Sequence, residues 1–219
     1  MIRVDRAGGH QRITLDRPDK ANALTGAMLA ALAEAVEAAW GEGDRVLVLT
    51  GAGKVFSAGA DLEAARAGLA TDPVWERLSA AVAAFPGLSI AALNGTLAGG
   101  ACGMALACDL RIAVPGAKVF YPVMRLGYLP QPSDPGRLAA LVGPSRAAMI
   151  LLAGARVPAE EALAWGLIDR IVAPEALEDT VAELAADALA APPEHLTALK
   201  RMLRGGLATD AAAVPAPAR

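Results

Sequence analysis

A long stretch without charge, from Leu78 to Cys108, limits the folds open to this chain more than any other feature. Its second part holds an apolar run from Leu88 to Leu93, then the turn dipeptide Asn94-Gly95 and the pair Gly99-Gly100. We interpret this order as a strand, a turn and a tightly packed helix that begins at the glycine pair. The first amides of a helix are unpaired and lie at its positive end, so this point is suited to bind an anion or a developing negative charge.

This stretch has three other interpretations: a membrane span, a dinucleotide site and a plain core segment. A membrane span is disfavoured because the run is mostly Ala and Gly and is broken by Pro86-Gly87 and by the later glycines. A dinucleotide site is disfavoured because the near-fingerprint Ala98-x-Gly100-x-x-Gly103 needs an acid about twenty residues on, and no Asp or Glu stands between Leu110 and Ser133. A plain core segment also explains the small residues and stays open.

The length of 219 residues fits one large domain or a domain with a small appendage. Hydrophobic residues make up 55% and aromatic residues 4%, so the core must be built from Ala, Leu and Val. The net charge of -3, without a basic cluster, predicts no nucleic-acid partner. Cys102 and Cys108 predict neither a disulfide framework nor a metal site. The charged N-terminus lacks a signal peptide, so we expect a cytoplasmic protein without a membrane anchor.

Local patterns predict an alternation of strands and helices. Ile2 to Asp16 is typical of a hairpin, Thr25 to Gly41 of an amphipathic helix, and Val46 to Leu49 of a strand covered on both faces. Residues 124–136 are rich in Gly and Pro and are expected to form a loop. Further predicted helices are 74–85, 137–152, 158–165, 175–190 and 194–203, with strands at 110–114, 118–121 and 168–172. We divide the chain into a core (1–190), a C-terminal helix (191–204) and a disordered tail (205–219).

Two segments together resemble a known family. Phe56 to Leu62 is one, and Asn94 to Cys102 with Cys108-Asp109 is the other; they resemble the two signature segments of the crotonase (enoyl-CoA hydratase/isomerase) superfamily. Three further stretches match in order and spacing: Leu15-Asp16-Arg17-Pro18 with Asn22-Ala23-Leu24, Leu126-Gly127-x-x-Pro130, and Gly154 with Ala159 to Ile168. The resemblance covers about residues 1–203. Family members usually continue with further C-terminal helices that cover the acyl pocket.

The resemblance implies an α/β fold, a spiral of ββα units with C-terminal helices, that assembles into homotrimers or hexamers. It implies an acyl-CoA thioester as substrate, with coenzyme A bound as part of it and no separate cofactor. The backbone amides of Ala60 and Gly100 would form an oxyanion hole for the thioester carbonyl. The residues implied to line the CoA groove are Lys20, Ala21, Ala23, Ala58, Asp61 and Leu62.

The departures from the family pattern concern acid–base chemistry. The two glutamates of the hydratases correspond here to Gly103 and Val123, and Gln131 stands where some members have an acid or a tyrosine. Asp134 is the nearest candidate acid, with a turn or helix cap before Arg137 as the alternative. Tyr121 and Tyr128 could donate a proton or simply pack, and packing is favoured.

The expected function is therefore an enzyme of the lyase or isomerase type, active in fatty acid metabolism, that stabilises a thioester enolate. Hydration needs a positioned acid and base, so decarboxylation of a malonyl-type thioester or another enolate reaction fits better. The alternative is a non-catalytic acyl-CoA-binding or regulatory protein that retains the groove.

Overall fold

The computed structural model of the chain describes residues 1–205. Nearly all of the predicted tail, 205–219, lies outside the described residues. The strands are β1 (Ile2–Ala7), β2 (His10–Leu15), β3 (Val46–Gly51), β4 (Val55–Ser57), β5 (Leu88–Leu93), β6 (Thr96–Ala98), β7 (Leu110–Ala113), β8 (Lys118–Phe120), β9 (Val157–Pro158) and β10 (Arg170–Ile171).

The α-helices are α1 (Gly26–Ala39), α2 (Leu62–Arg66), α3 (Val74–Ala84), α4 (Cys102–Ala107), α5 (Val123–Leu126), α6 (Asp134–Val142), α7 (Pro144–Leu151), α8 (Ala159–Trp165), α9 (Leu177–Ala190) and α10 (Pro193–Leu203). Single turns of 3-10 helix lie at Pro18–Lys20, Leu69–Thr71, Gly99–Ala101 and Pro174–Ala176. The predicted hairpin, amphipathic helix and buried strand are all confirmed, within one or two residues at their ends.

Two sheets form the framework of the molecule. The larger has the order β1-β2-β3-β5-β7-β10 and the smaller the order β4-β6-β8-β9. The consecutive pairs β3/β4, β5/β6 and β7/β8 each give one strand to each sheet, and strands of successive pairs run parallel in both sheets. The chain thus winds as a spiral of ββα units, which confirms the predicted α/β fold class.

The uncharged stretch lies at the centre of this spiral. β5 is buried over most of its length between β3 and β7, and every residue of α4 is buried. α4 packs between α3 and α6, and four of its six residues are small (Cys102, Gly103, Ala105 and Ala107), which favours close packing. Burial on all sides explains why neither β5 nor α4 carries a charge, because an unpaired buried charge is costly.

The predicted loop over residues 124–136 is partly wrong. α5 begins at Val123, and α6 begins at Asp134 and includes Gly136. Pro135 suits the first turn of a helix, where its missing N–H is not needed. β6 also went unpredicted, since three residues are too few for a periodic pattern to appear.

The C-terminal helix α10 packs on the outside of the core. Lys200 Nζ donates to the Gly87 carbonyl at 2.5 Å and to Asp109 Oδ2 at 2.7 Å. The helix forms where the sequence predicts one, and the limits given to the core and appendage stay a prediction. Among residues 1–205, no helix is both long enough and apolar enough to cross a membrane.

Candidate active site

A cavity of about 330 Å³ lies where three parallel strands of the smaller sheet end. Since β4, β6 and β8 are parallel neighbours, the segments that follow them emerge at one edge of the sheet. Its walls are mainly apolar, and the volume suits a small acyl group. The residues that line it are Ala58, Ala60, Leu62, Ala65, Arg66, Ala70, Trp75, Gly99, Gly100, Tyr121, Pro122, Val123, Leu126, Tyr128, Leu129 and Gln131.

The two residues predicted to supply oxyanion-hole amides both line this cavity. Ala60 follows β4 and forms a parallel bridge with Leu24. In that bridge the Leu24 N–H donates to the Gly59 carbonyl, and the Asp61 N–H donates to the Leu24 carbonyl. The Ala60 N–H therefore takes no part in these hydrogen bonds. Gly100 is the second residue of the 3-10 turn that precedes α4. The first N–H groups of a helical segment have no intrahelical acceptor, and the N–H of Gly100 is one of these groups.

Glycines allow the two backbone segments to approach closely. Gly59 has φ +92°, and a Cβ there would lie 2.9 Å from the Ala98 carbonyl oxygen. Gly99 has φ +59°, and a Cβ there would lie 3.5 Å from the Gly59 Cα. Any side chain at Gly59 would therefore force the loops after β4 and β6 apart.

Trp75 of α3 forms the wall beside Gly100. A Cβ on Gly100 would lie 3.1 Å from two ring carbons of Trp75. The indole is 3% exposed, and its N–H donates to the Leu69 carbonyl at 2.8 Å. Sequence analysis did not identify Trp75, since α3 is joined to the cavity only by tertiary packing.

The segments predicted to bind CoA contact each other beside the cavity. The Ala58 N–H donates to the Ala21 carbonyl at 2.9 Å. Arg17 Nη1 lies 2.7 Å from Asp61 Oδ2, and the other Asp61 oxygen accepts from the first amides of α2. This pairing with Arg17, and then the α2 amides, lower the pKa of Asp61.

Only part of the predicted CoA set borders the cavity itself. Ala58 and Leu62 are among its lining residues. In the described part of the chain, Lys20, Ala21, Ala23 and Asp61 lie outside that lining. Lys20 is exposed, so its ammonium faces solvent beside the site and not the interior.

Asp134 lies directly over Gly103. A Cβ on Gly103 would come within 2.8 Å of Asp134 Oδ1 and 3.0 Å of Oδ2. The Asp134 side chain is 1% exposed, and Oδ2 accepts a hydrogen bond from the Tyr121 hydroxyl at 3.0 Å. Ser133, not Asp134, is the N-cap residue of α6, so the helix-cap alternative for Asp134 is wrong.

The environment of Asp134 favours its protonated form. Burial raises the pKa of the carboxyl to about 6, against the lowering effects of the Tyr121 hydrogen bond and the charge of Arg137. Glu76 raises it further. Arg137 Nη1 stays 4.0 Å from Oδ1, too far for a hydrogen bond.

Tyr121 joins Asp134 to the cavity. The residue is buried and lines the cavity, and its hydroxyl donates a hydrogen bond to the Asp134 carboxyl. Burial and the neighbouring Asp134 raise the pKa of this hydroxyl. Tyr121 therefore packs in the core, as favoured from the sequence, and its hydroxyl also has an ionisable partner, which keeps the proton-donor interpretation open.

The remaining predicted positions also border the cavity. Gln131 and Val123 are buried lining residues, and Tyr128 is partly exposed at the mouth. Arg66 of α2, which sequence analysis did not identify, adds a cation to the lining. Within residues 1–205, no group of three or more His, Cys, Asp or Glu side chains is placed to hold a metal ion.

Comparisons with known proteins point to one family. The family model for enoyl-CoA hydratase/isomerase matches residues 6–215. A carnitinyl-CoA dehydratase of Salmonella arizonae is 37% identical over 214 residues, which cover 93% of this chain and 80% of that protein.

Solved structures agree with this result. An enoyl-CoA hydratase subunit I of Geobacillus kaustophilus superposes with a TM-score of 0.84 at 35% identity, covering 98% of this chain and 83% of that one. An enoyl-CoA hydratase of Bacillus anthracis gives a TM-score of 0.86 at 32% identity, covering 97% and 85%.

Proposed function

The chain belongs to the enoyl-CoA hydratase/isomerase family, and from that premise we propose that it is an enzyme that stabilises a thioester enolate between the amides of Ala60 and Gly100. The observation that carries this proposal is the convergence of both residues on one apolar cavity at the ends of β4 and β6. Acyl-CoA processing is the common activity of the family.

The physical basis is the charge that develops on the thioester oxygen. When an enolate forms, the carbonyl oxygen gains negative charge, and fixed amides stabilise it without reorganising. One such donor contributes about 3 kcal/mol to transition-state stability. The close approach of the backbone at Gly59 to the Ala98 carbonyl supports a defined spacing of the two amides.

The CoA portion is proposed to lie along the edge formed by the segments after Arg17 and after β4. Backbone groups of Lys20, Ala21, Ala23, Ala58, Asp61 and Leu62 would contact it. The Ala58–Ala21 hydrogen bond and the Arg17–Asp61 ion pair support this assignment, because they hold both segments at the cavity.

The reaction is proposed to differ from hydration. Gly103 and Val123 carry no carboxylate, so the two positions that would handle water have no acid or base of their own. Departure of CO2 from a malonyl-type thioester generates an enolate without a base. Decarboxylation, or another reaction through an enolate, is thus favoured, and the dehydratase relative supports action on the acyl part of a CoA ester.

The second candidate is an acyl-CoA-binding or regulatory protein without catalysis. Gly103 and Val123, at the two glutamate positions, favour this second candidate, because without the glutamates hydration is lost while the groove is kept. Incubation with crotonyl-CoA, a 3-enoyl-CoA and methylmalonyl-CoA, followed by mass spectrometry, separates the candidates. Micromolar binding by calorimetry without turnover favours the second, and no binding of any ester contradicts both.

A pair of variants isolates the Gly100 amide. Gly100→Ala adds a Cβ against Trp75 and keeps the N–H, whereas Gly100→Pro adds the same Cβ and removes the N–H. We expect Gly100→Pro to be about 100-fold slower than Gly100→Ala. Equal turnover of the two variants would show that this amide is not an oxyanion donor.

A further inference from the structure

The space above Gly103 is filled by a carboxylate that comes from another helix. Gly103 lies three residues after Gly100, one helical turn along, so both face the same side. A side chain on Gly103 would begin within 3.0 Å of both Asp134 oxygens. Asp134 therefore presents its charge where a short acidic side chain at position 103 would present one.

Tyr121 connects this carboxylate to the place where an acyl group would lie. Tyr121 lines the cavity together with Gly99 and Gly100, and its hydroxyl donates to Asp134 Oδ2 at 3.0 Å. Asp134 itself does not line the cavity. A proton that passes between the cavity and Asp134 has a direct hydrogen-bonded route through one hydroxyl.

The surroundings keep Asp134 able to exchange a proton. Within the described residues, Oδ1 has no hydrogen-bond partner, and Arg137 stays 4.0 Å away. The titratable groups that act on it or face it are Tyr121, Arg137, Glu76 from α3 and Cys102 from α4. Burial dominates among these influences and raises the pKa of the carboxyl towards neutrality.

We infer that Tyr121 is the catalytic residue that moves a proton to and from the thioester α-carbon, and that Asp134 is the positioning residue that exchanges this proton with it. In the forward direction the α-proton goes to the Tyr121 oxygen while the hydroxyl proton goes to Asp134. The electron pair of the C–H bond becomes the enolate, with its negative charge on the thioester oxygen. In reverse, the same transfers protonate the enolate that a departing CO2 leaves behind.

This inference rests on the proposed function, so the experiment measures the oxyanion hole and the proton transfer separately. Infrared spectra of bound butyryl-CoA report polarisation of the thioester carbonyl, which the amides alone produce. Mass spectrometry of butyryl-CoA in D2O reports deuterium uptake at the α-carbon, which needs the acid–base pair. We expect a carbonyl band at lower frequency in the wild type and in both variants, Tyr121→Phe and Asp134→Asn.

We expect both variants to take up deuterium about 100-fold more slowly than the wild type. The wild-type rate should rise with pH as Asp134 ionises, near its pKa of about 6, and Asp134→Asn should lose that dependence. Asp44→Asn is the matched control, since Asp44 is also a buried aspartate of raised pKa but lies in the turn before β3. Its exchange rate should equal that of the wild type.

A carboxylate placed at another position distinguishes a chemical role of Asp134 from a structural one. It also keeps the test decisive if a single variant folds poorly. Asp134→Ala should lose exchange, and adding Gly103→Asp to it should restore much of the rate, because the new carboxyl fills the same space from α4. Exchange within threefold of wild type in Tyr121→Phe and Asp134→Asn would overturn the inference. If the wild type polarises the carbonyl but exchanges no α-proton, the roles of Tyr121 and Asp134 are contradicted and the proposed function is not. If the wild type does not polarise the carbonyl, both are contradicted.

Discussion

At the level of single residues, the surroundings of the two Asp134 carboxyl oxygens determine how readily this side chain ionises. Oδ2 is bonded by Tyr121, whereas Oδ1 has no hydrogen-bond partner among the described residues. The side chain is almost completely buried, so water does not compensate for this lack. Desolvation disfavours the ionised carboxylate and raises its pKa to about 6 from an ordinary value of 3.8.

This shift makes the folding stability depend on pH. The folded protein holds the Asp134 proton between pH 3.8 and about 6, where the unfolded chain has lost it. The contribution is therefore complete below pH 3.8 and falls by about 3 kcal/mol as the pH rises to 6 and above. Urea unfolding from pH 3.5 to 7.5 should show this loss in the wild type relative to Asp134→Asn. Parallel stability curves would contradict a raised pKa.

At the scale of elements, Asn22 fixes the turn after β2 to the smaller sheet. Its side chain donates to the carbonyls of Ala52 at 2.9 Å and Val55 at 2.7 Å, and it accepts from the Arg17 N–H at 2.9 Å. It is fully buried, with a left-handed φ of 53° that Asn adopts more readily than most residues. One side chain thus joins the predicted CoA-binding segment to the start of β4.

Replacing this side chain should loosen the whole edge of the cavity. Asn22→Ala removes hydrogen bonds to three part-buried backbone groups and puts a less suitable residue at positive φ, so we expect a loss of about 3 kcal/mol in unfolding free energy. Denaturant titration followed by circular dichroism measures it. Lys20→Ala, in the same turn but exposed, should change stability by less than about 0.5 kcal/mol. Equal effects of the two substitutions would refute this role.

At the scale of the whole molecule, the spiral places the cavity next to an apolar surface. Leu62, Met124, Leu126 and Leu129 are exposed around or beside the mouth, and Leu129 is 87% exposed. Contiguous exposed apolar residues are typical of binding surfaces or subunit contacts. The family resemblance predicts that the chain assembles into homotrimers or hexamers.

We therefore expect a homotrimer, or a hexamer formed from two trimers, in solution. Sedimentation equilibrium at several protein concentrations should give three or six times the mass of one chain. The apolar rim would lose contact with water in that assembly, which supplies a driving force for association. A monomer mass at every concentration would contradict the prediction.

The family and most elements of the fold could be predicted from the sequence because they depend on local patterns. The period of apolar residues marks α1, and the unbroken apolar run marks β3. The segments Phe56 to Leu62 and Asn94 to Cys102 carry both the family resemblance and the two proposed amide donors. Each of these signals lies within a few neighbouring residues, whose geometry the backbone itself constrains.

The arrangement of the acid–base groups could not be predicted from the sequence. Gly103, Tyr121 and Asp134 are far apart in the chain, and no sequence period relates them. Their contact follows from the packing of α6 against α4 and from the direction in which β8 ends. That position 103 has no carboxylate is evident from the sequence alone. The fold determined that Asp134 fills the space above it, because side chains from distant segments meet only after burial has chosen their neighbours.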